Sequence, residues 1–268
     1  MNILVTLDEN YVPYLNVMLF SLIEKNPAEE INLYVLHTSI RDEVMAGTRR
    51  IIGESGTLNM LCANEAALSD APTTSRYPKE IYYRIFAAKY LPKELDRVLY
   101  LDPDVIINGS LKELYSMEMG DAFYAAASHT ESTVMQKVNK LRLDMEDESP
   151  YINSGVMLMN LERLRAEQNT DEVFDYIEKR KKLLILPDQD IISSLYGGRI
   201  LPLDTFRYNM TERLFMMKAP FEKELNLSWV RENSVIIHYC GRNKPWKNGY
   251  VGQLDTFYRE AERRLLIT

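Results

Sequence analysis

Asp102 and Asp104 stand two residues apart at the end of an apolar run, in the order Tyr100-Leu101-Asp102-Pro103-Asp104-Val105. An exposed carboxylate pair at a strand's end can hold a hard divalent cation against a phosphate group. Far downstream a second apolar run, 235–239, carries His238 and is followed by Gly241, Lys244 and Lys247. Two oxygen ligands, an imidazole and nearby cations brought to one place describe an enzyme for an anionic phosphate substrate. Carboxylates suit Mg²⁺ or Mn²⁺, and the imidazole tilts the choice toward Mn²⁺. Each half also has a plainer reading. Pro103 could simply fix a turn with solvated aspartates, and the segment after His238 could be a basic surface turn.

Smaller polar groups punctuate the rest of the chain. Asp8-Glu9-Asn10-Tyr11 either caps a helix or bonds a base and ribose, with Tyr11 stacking on the base. Arg84, among Tyr82, Tyr83 and Phe86, is either a snorkelling surface residue or an anion contact. Asn153-Ser154-Gly155 is a turn or a grip for sugar hydroxyls. Asp188-Gln189-Asp190 follows Pro187, where Asp188 is an N-cap or a polar group aimed into a cleft.

These residues need elements to position them. The runs 1–7, 31–38, 58–64 and 97–102 read as strands. The stretches 11–26, 42–55 and 80–91 read as helices, with Pro13 tolerated in a first turn. A loop rich in Ser, Thr and Pro fills 69–78. Further strands are expected at 122–128, 154–160, 199–203 and 234–239, and further helices at 171–184, 188–196 and 251–266. Strand–helix alternation over the first hundred residues predicts an α/β fold, a Rossmann-like, mainly parallel, doubly wound sheet with a mixed C-terminal part. Ligands of such sheets sit outside the strands' carboxyl ends, where strand order reverses. Asp8, Asp102, Asp104 and His238 each fall at or just past such an end. We expect one domain over 1–268, which the family resemblance described below would divide into a nucleotide-binding part near 1–110 and a donor-sugar and acceptor part near 111–268.

Composition narrows the classes. The 268 residues are 46% hydrophobic and 26% charged, an ordinary globular balance. A net charge of −7 argues against a nucleic-acid groove, which needs a basic face. An anionic substrate therefore requires cations gathered locally. The two cysteines, Cys62 and Cys240, lack disulfide or metal-ligand spacing and suggest a reducing compartment, with Cys62 expected to be buried. The N-terminus carries no secretion signal and no run is long enough to span a bilayer, so the expected location is cytoplasmic.

Six segments in register resemble the retaining glycosyltransferases of family 8, which include glycogenin and bacterial lipopolysaccharide galactosyl- and glucosyltransferases. They are LDENY (7–11), YYRIFAAKYLP (82–92), VLYLDPDVIINGSL (98–111), YINSGVMLMNL (151–161), DQDI (188–191) and HYCGRNKPW (238–246). The resemblance implies a GT-A fold binding a UDP-sugar, UDP-glucose or UDP-galactose, with Mn²⁺. It implies metal ligation by Asp102, Asp104 and His238, and a uridine pocket from Asp8, Asn10 and Tyr11 with backbone from Thr6 and Leu7. Gly241 and Lys244 match diphosphate contacts; Arg84, Asn153, Asp188 and Gln189 match positions around the donor sugar, with Asp188 and Gln189 implied as the catalytic residues. The acceptor it implies is a carbohydrate or glycolipid.

Two departures stand out. Some relatives carry an aspartate just after the strand matching 122–128, where this chain reads Ser128-His129-Thr130 with its first acid at Glu131. Some also end in a basic, aromatic membrane-binding tail, whereas this sequence reads ERRLLIT at 262–268. Two other functions compete. A haloacid-dehalogenase-like phosphohydrolase also places Asp-x-Asp after a strand, but its nucleophile is followed by Asp-Gly-Thr rather than Val105-Ile106-Ile107. A UDP-sugar-binding protein without transferase activity would keep the same nucleotide site.

Overall fold

The computed structural model describes residues 1–63, 80–128 and 132–267. Nine strands are described: β1 (Asn2–Thr6), β2 (Ile31–His37), β3 (Gly56–Cys62), β4 (Arg97–Leu101), β5 (Val105–Ile107), β6 (Tyr124–Ser128), β7 (Ile152–Asn160), β8 (Ile200–Leu203) and β9 (Ile236–His238). Seven form one sheet in the order β3-β2-β1-β4-β7-β6-β8, and β5 and β9 form a separate two-stranded ribbon. β3, β2, β1 and β4 are mutually parallel; β7 runs against β4 and β6, and β8 is parallel to β6. The strand order turns back on itself between β1 and β4.

Strand residues alternate between two buried layers because side chains alternate across a pleat. Ile3, Val5, Leu33, Val35, Leu99 and Leu101 pack into one core. Leu4, Tyr34, Leu36, Val98 and Tyr100 pack into the other. The helix Val12–Lys25 covers the first layer with Leu15, Met18, Leu19 and Leu22, one face of a 3.6-residue period. Leu161, Val173, Ile191 and Ile192, from three later helices, cover the second. A third cluster joins the β5–β9 ribbon, through Ile106 and Ile237, to Phe257, Tyr258 and Ala261 of the helix Asp255–Leu265. No helix among the described residues is long and apolar enough to cross a membrane.

The structure departs from the expected elements in instructive places. The helix expected over 80–91 is two short turns, Glu80–Tyr83 and Ala87–Tyr90, broken around Arg84. Its end is tied off by the Arg165 guanidinium, which donates to the carbonyls of Ala88, Pro92, Lys93 and Leu95. Helix 42–55 shrinks to Ala46–Ile52. Asn153, Ser154 and Gly155 lie within β7, not in a turn before it. Leu186 takes the N-cap position before the helix Pro187–Tyr196, so Asp188 is a first-turn residue whose side chain is free for other partners. Cys62, expected in the core, is exposed because β3 is the sheet's edge strand. The loop 69–78 and His129, Thr130 and Glu131 lie outside the described residues.

Candidate active site

The carboxyl ends of β1 and β4 lie side by side where strand order reverses, and the chemistry-bearing residues gather there. Past Leu101 the chain turns through Pro103, carrying Asp102 and Asp104 beyond the sheet. It then enters β5, where Val105 pairs opposite His238 of β9. That register sets the imidazole beside both carboxylates. His238 Nε2 is 3.2 Å from Asp104 Oδ1 and 3.8 Å from Asp102 Oδ2. One donor atom from each of the three lies within 4.8 Å of the others.

Three observations show that this trio fits a divalent cation. His238 Nε2 and Asp104 Oδ1 are buried without a hydrogen-bond partner, a state costing about 1–3 kcal/mol per group unless a ligand offsets it. Gly155 of β7 backs the cluster, and a Cβ there would lie 2.3 Å from His238 Cε1 and 2.5 Å from Asp102 Oδ2. The space beside the ligands exists because that side chain is absent. Two carboxylates and one imidazole are, finally, a donor set suited to Mn²⁺.

Buried cations frame the trio. Lys244, 6% exposed, donates to Asp104 Oδ2 and to the Tyr239 carbonyl. Burial opposes charge on both partners, but their attraction prevails. Asp104 is held below the usual carboxylate range and Lys244 above its usual value. Gly241, with φ of 80°, makes the left-handed turn that starts the loop back toward Lys244. Lys247 is exposed and does not join the cluster. On the opposite side, Arg84 Nη1 lies 3.1 Å from Asp102 Oδ1 and 3.0 Å from Asp188 Oδ2. Burial works against the guanidinium, and Asp102, Tyr100 and Asp188 more than offset it. Arg84 is thus neither a surface residue nor a simple helix residue; the break in its helix turns it inward.

Asp188 Oδ2 also accepts from Ser154 Oγ at 2.7 Å. Gln189 is 3% exposed and its Nε2 has no partner. Asn153 is buried, with Oδ1 accepting the Gly155 N–H at 3.0 Å. Asp8 accepts the Asn10 N–H at 2.9 Å, capping the turn Glu9–Tyr11, and leaves Asp8 and Asn10 exposed. Tyr11 meets Trp246 edge-on at 6.3 Å, and Trp246 stacks on Tyr14 at 3.7 Å. Leu7 is buried, and Thr6 Oγ1 is 3.0 Å from Tyr100 Oη, which donates to Asp102 Oδ1 at 2.7 Å. All fourteen residues that the resemblance singles out are therefore described; Arg84, Asp102, Asp104, Asp188, His238 and Lys244 connect directly into one network, which Thr6 joins through Tyr100.

Sequence reasoning missed several supporting residues. Tyr100, which donates to Asp102, and Asn209, whose Oδ1 is 2.8 Å from His238 Nδ1, hold side chains of the trio in place. Asp190 is wholly buried: Arg142 grips it with two bonds of 2.8 and 2.9 Å, Tyr151 Oη donates at 2.6 Å, and the N–H groups of Ile185 and Leu186 complete its shell. Glu212 Oε2 accepts from Tyr250 Oη, Gln253 N–H and Leu254 N–H, tethering the far end of the loop that bears Lys244. Asp190 and Tyr100 had a sequence signal, their places in DQDI and VLYLDPDVIINGSL, whereas Asn209 and Glu212 lie in no such segment. Replacing Glu212 by Ala leaves these donors unpaired, and a loss of about 1–3 kcal/mol is expected in denaturant unfolding.

A doubly wound sheet with this trio at its switch point is the fold of a GT-A glycosyltransferase. The structure of galactosyltransferase LgtC with donor and acceptor sugar analogues superposes with a TM-score of 0.84, covering 98% of this chain and 96% of that one at 24% identity. The chain belongs to glycosyl transferase family 8, whose profile matches residues 2–249. It is 30% identical to a lipopolysaccharide 1,2-glucosyltransferase of Escherichia coli over 90% of this chain and 71% of the relative. It is also 30% identical to a putative glycosyltransferase of Haemophilus influenzae over 95% of this chain and 77% of that protein. Membership of this family displaces the phosphohydrolase reading.

Proposed function

We propose that the chain is a retaining hexosyltransferase that moves glucose or galactose from a UDP-sugar to a cell-surface glycan or glycolipid acceptor, assisted by Mn²⁺. The observation that carries the reading is the Asp102–Asp104–His238 cluster with its two unpartnered buried atoms and Lys244 alongside. Asp102, Asp104 and His238 would hold the ion, which supplies Lewis-acid stabilisation of the departing diphosphate. Lys244 adds a fixed positive charge beside that diphosphate, in a buried setting where charge interactions are strong. Tyr11 and the exposed polar groups of Asp8 and Asn10 would receive the uridine, with Thr6 and Leu7 contributing backbone and Gly241 a close approach to phosphate. Arg84, Asn153 and Asp188 would orient the donor sugar.

Retention often proceeds through a carboxylate nucleophile and a covalent intermediate. Here Gln189 is an amide, a poor nucleophile, and Asp190 is fully committed to Arg142, Tyr151 and two backbone donors. This supports attack by the acceptor hydroxyl on the face that UDP leaves. The new C–O bond forms as the anomeric C–O bond breaks, and the hydroxyl proton passes to the leaving phosphate oxygen. Relatives that are lipopolysaccharide glucosyltransferases support this choice of acceptor class. The two free cysteines support a reducing, cytoplasmic location.

The test is UDP release from a panel of nucleotide sugars with Mn²⁺ or with EDTA, beside Asp104→Asn. Metal-dependent release from one UDP-hexose, lost in the variant, is expected and names the donor. Tight UDP binding without release or transfer to any acceptor would favour the non-catalytic reading. Absence of UDP binding would overturn the nucleotide site altogether.

A further inference from the structure

We infer that Asn209 is a positioning residue that fixes the tautomer and ring plane of His238 for cation binding, an inference that rests on the metal reading above. Both side chains are 2% exposed. Asn209 is held from both sides of its backbone. Its N–H closes the short helix Thr205–Tyr208 onto Thr205, and the next residue, Met210, bridges to β9. Met210 N–H donates to Ile236 O at 3.0 Å, and His238 N–H donates to Met210 O at 2.8 Å. The amide is therefore locked to the strand that carries the histidine.

Asn209 Oδ1 lies 2.8 Å from His238 Nδ1. A carbonyl oxygen only accepts, so Nδ1 carries the proton and Nε2 keeps its lone pair toward Asp102 and Asp104. The aspartates alone would pull the ring the other way. A proton on Nε2 could be donated to Asp104 Oδ1, 3.2 Å distant, and would block that nitrogen as a ligand. Asn209 decides this competition in favour of the form that binds a cation, which is the task of an outer partner to a ligating histidine.

The experiment compares wild type, Asn209→Leu and Asn209→Asp, with Asn209→Ala as a second acceptor-free variant should the leucine variant not fold. The three histidines of the chain keep an imidazole ¹⁵N spectrum simple to assign. Measured without metal, wild type and Asn209→Asp are expected to show the proton of His238 on Nδ1, and the acceptor-free variant to show it on Nε2. By Mn²⁺ titration followed by electron paramagnetic resonance, the acceptor-free variant should bind about 10–100-fold more weakly. Asn209→Asp, which retains the oxygen, should restore binding to near wild type. Unchanged tautomer and affinity in the acceptor-free variant overturn the inference, as does an aspartate variant as weak as the leucine one, which would leave only a packing role. If wild type itself binds no Mn²⁺ that an Asp102→Asn control removes, the metal reading falls and this inference with it.

Discussion

Gly155→Ala is expected to lower Mn²⁺ affinity by about 10–100-fold, and metal-dependent UDP release with it. A methyl at this position would lie 2.3 Å from His238 Cε1 and 2.5 Å from Asp102 Oδ2, well inside contact distance. Neither side can easily give way. The Gly155 carbonyl accepts the Asp102 N–H at 2.8 Å, and the rest of β7 is paired with β4 at 156–160 and with β6 at 152 and 157–159. His238 is paired through β9 and bonded to Asn209. The strain is thus relieved by parting the ligands. Overpacking of this kind costs about 1–3 kcal/mol, which leaves most of the folded population intact. The check is Mn²⁺ titration together with thermal unfolding. A folded variant with wild-type Mn²⁺ affinity would mean that the ion binds elsewhere.

Asp190→Ala should be the most destabilising single change considered, at about 3–5 kcal/mol. Its carboxylate is wholly buried and receives five hydrogen bonds: two from Arg142, one from Tyr151 and two from backbone N–H groups entering the helix Pro187–Tyr196. Removing it strands the guanidinium and leaves the helix entrance unsatisfied. A fall in melting temperature on the order of 10 °C is expected by calorimetry. Because Asp188 and Gln189 sit in that same first turn, donor binding should weaken in parallel. A variant that melts within a degree or two of wild type would show that the buried pair contributes little.

The parallel half of the fold was legible because its strands are apolar on both faces and its first helix has a clear 3.6-residue stripe. β1, β2, β4 and the helix Val12–Lys25 follow that pattern. β5 was not foreseen, since three residues after Pro103 carry no period and its existence depends on a partner far along the chain. Several helices were missed although their caps were present: Asn160, Asn226, Ser132 and Thr211 each accept a first-turn N–H. The weakly apolar stretches behind those caps hid them. At the site, residue types that ligate metals announce themselves at strand ends. Asn209 and Glu212 could not, because an amide and a carboxylate that act by holding neighbours look like any others in a sequence.

The β5–β9 ribbon also has a consequence for biosynthesis. Lys244 meets Asp104 across 140 residues of chain, and His238 arrives only shortly before it. At translation rates of about 5–20 residues per second, Asp102 and Asp104 leave the ribosome roughly 7–28 s ahead of these partners. During that interval the nascent parallel half carries only two of the trio's three side chains and none of the lysine charge. The cleft is complete only once the chain has supplied residues on its far side, so a truncated or stalled product would lack His238 and Lys244 beside the two aspartates.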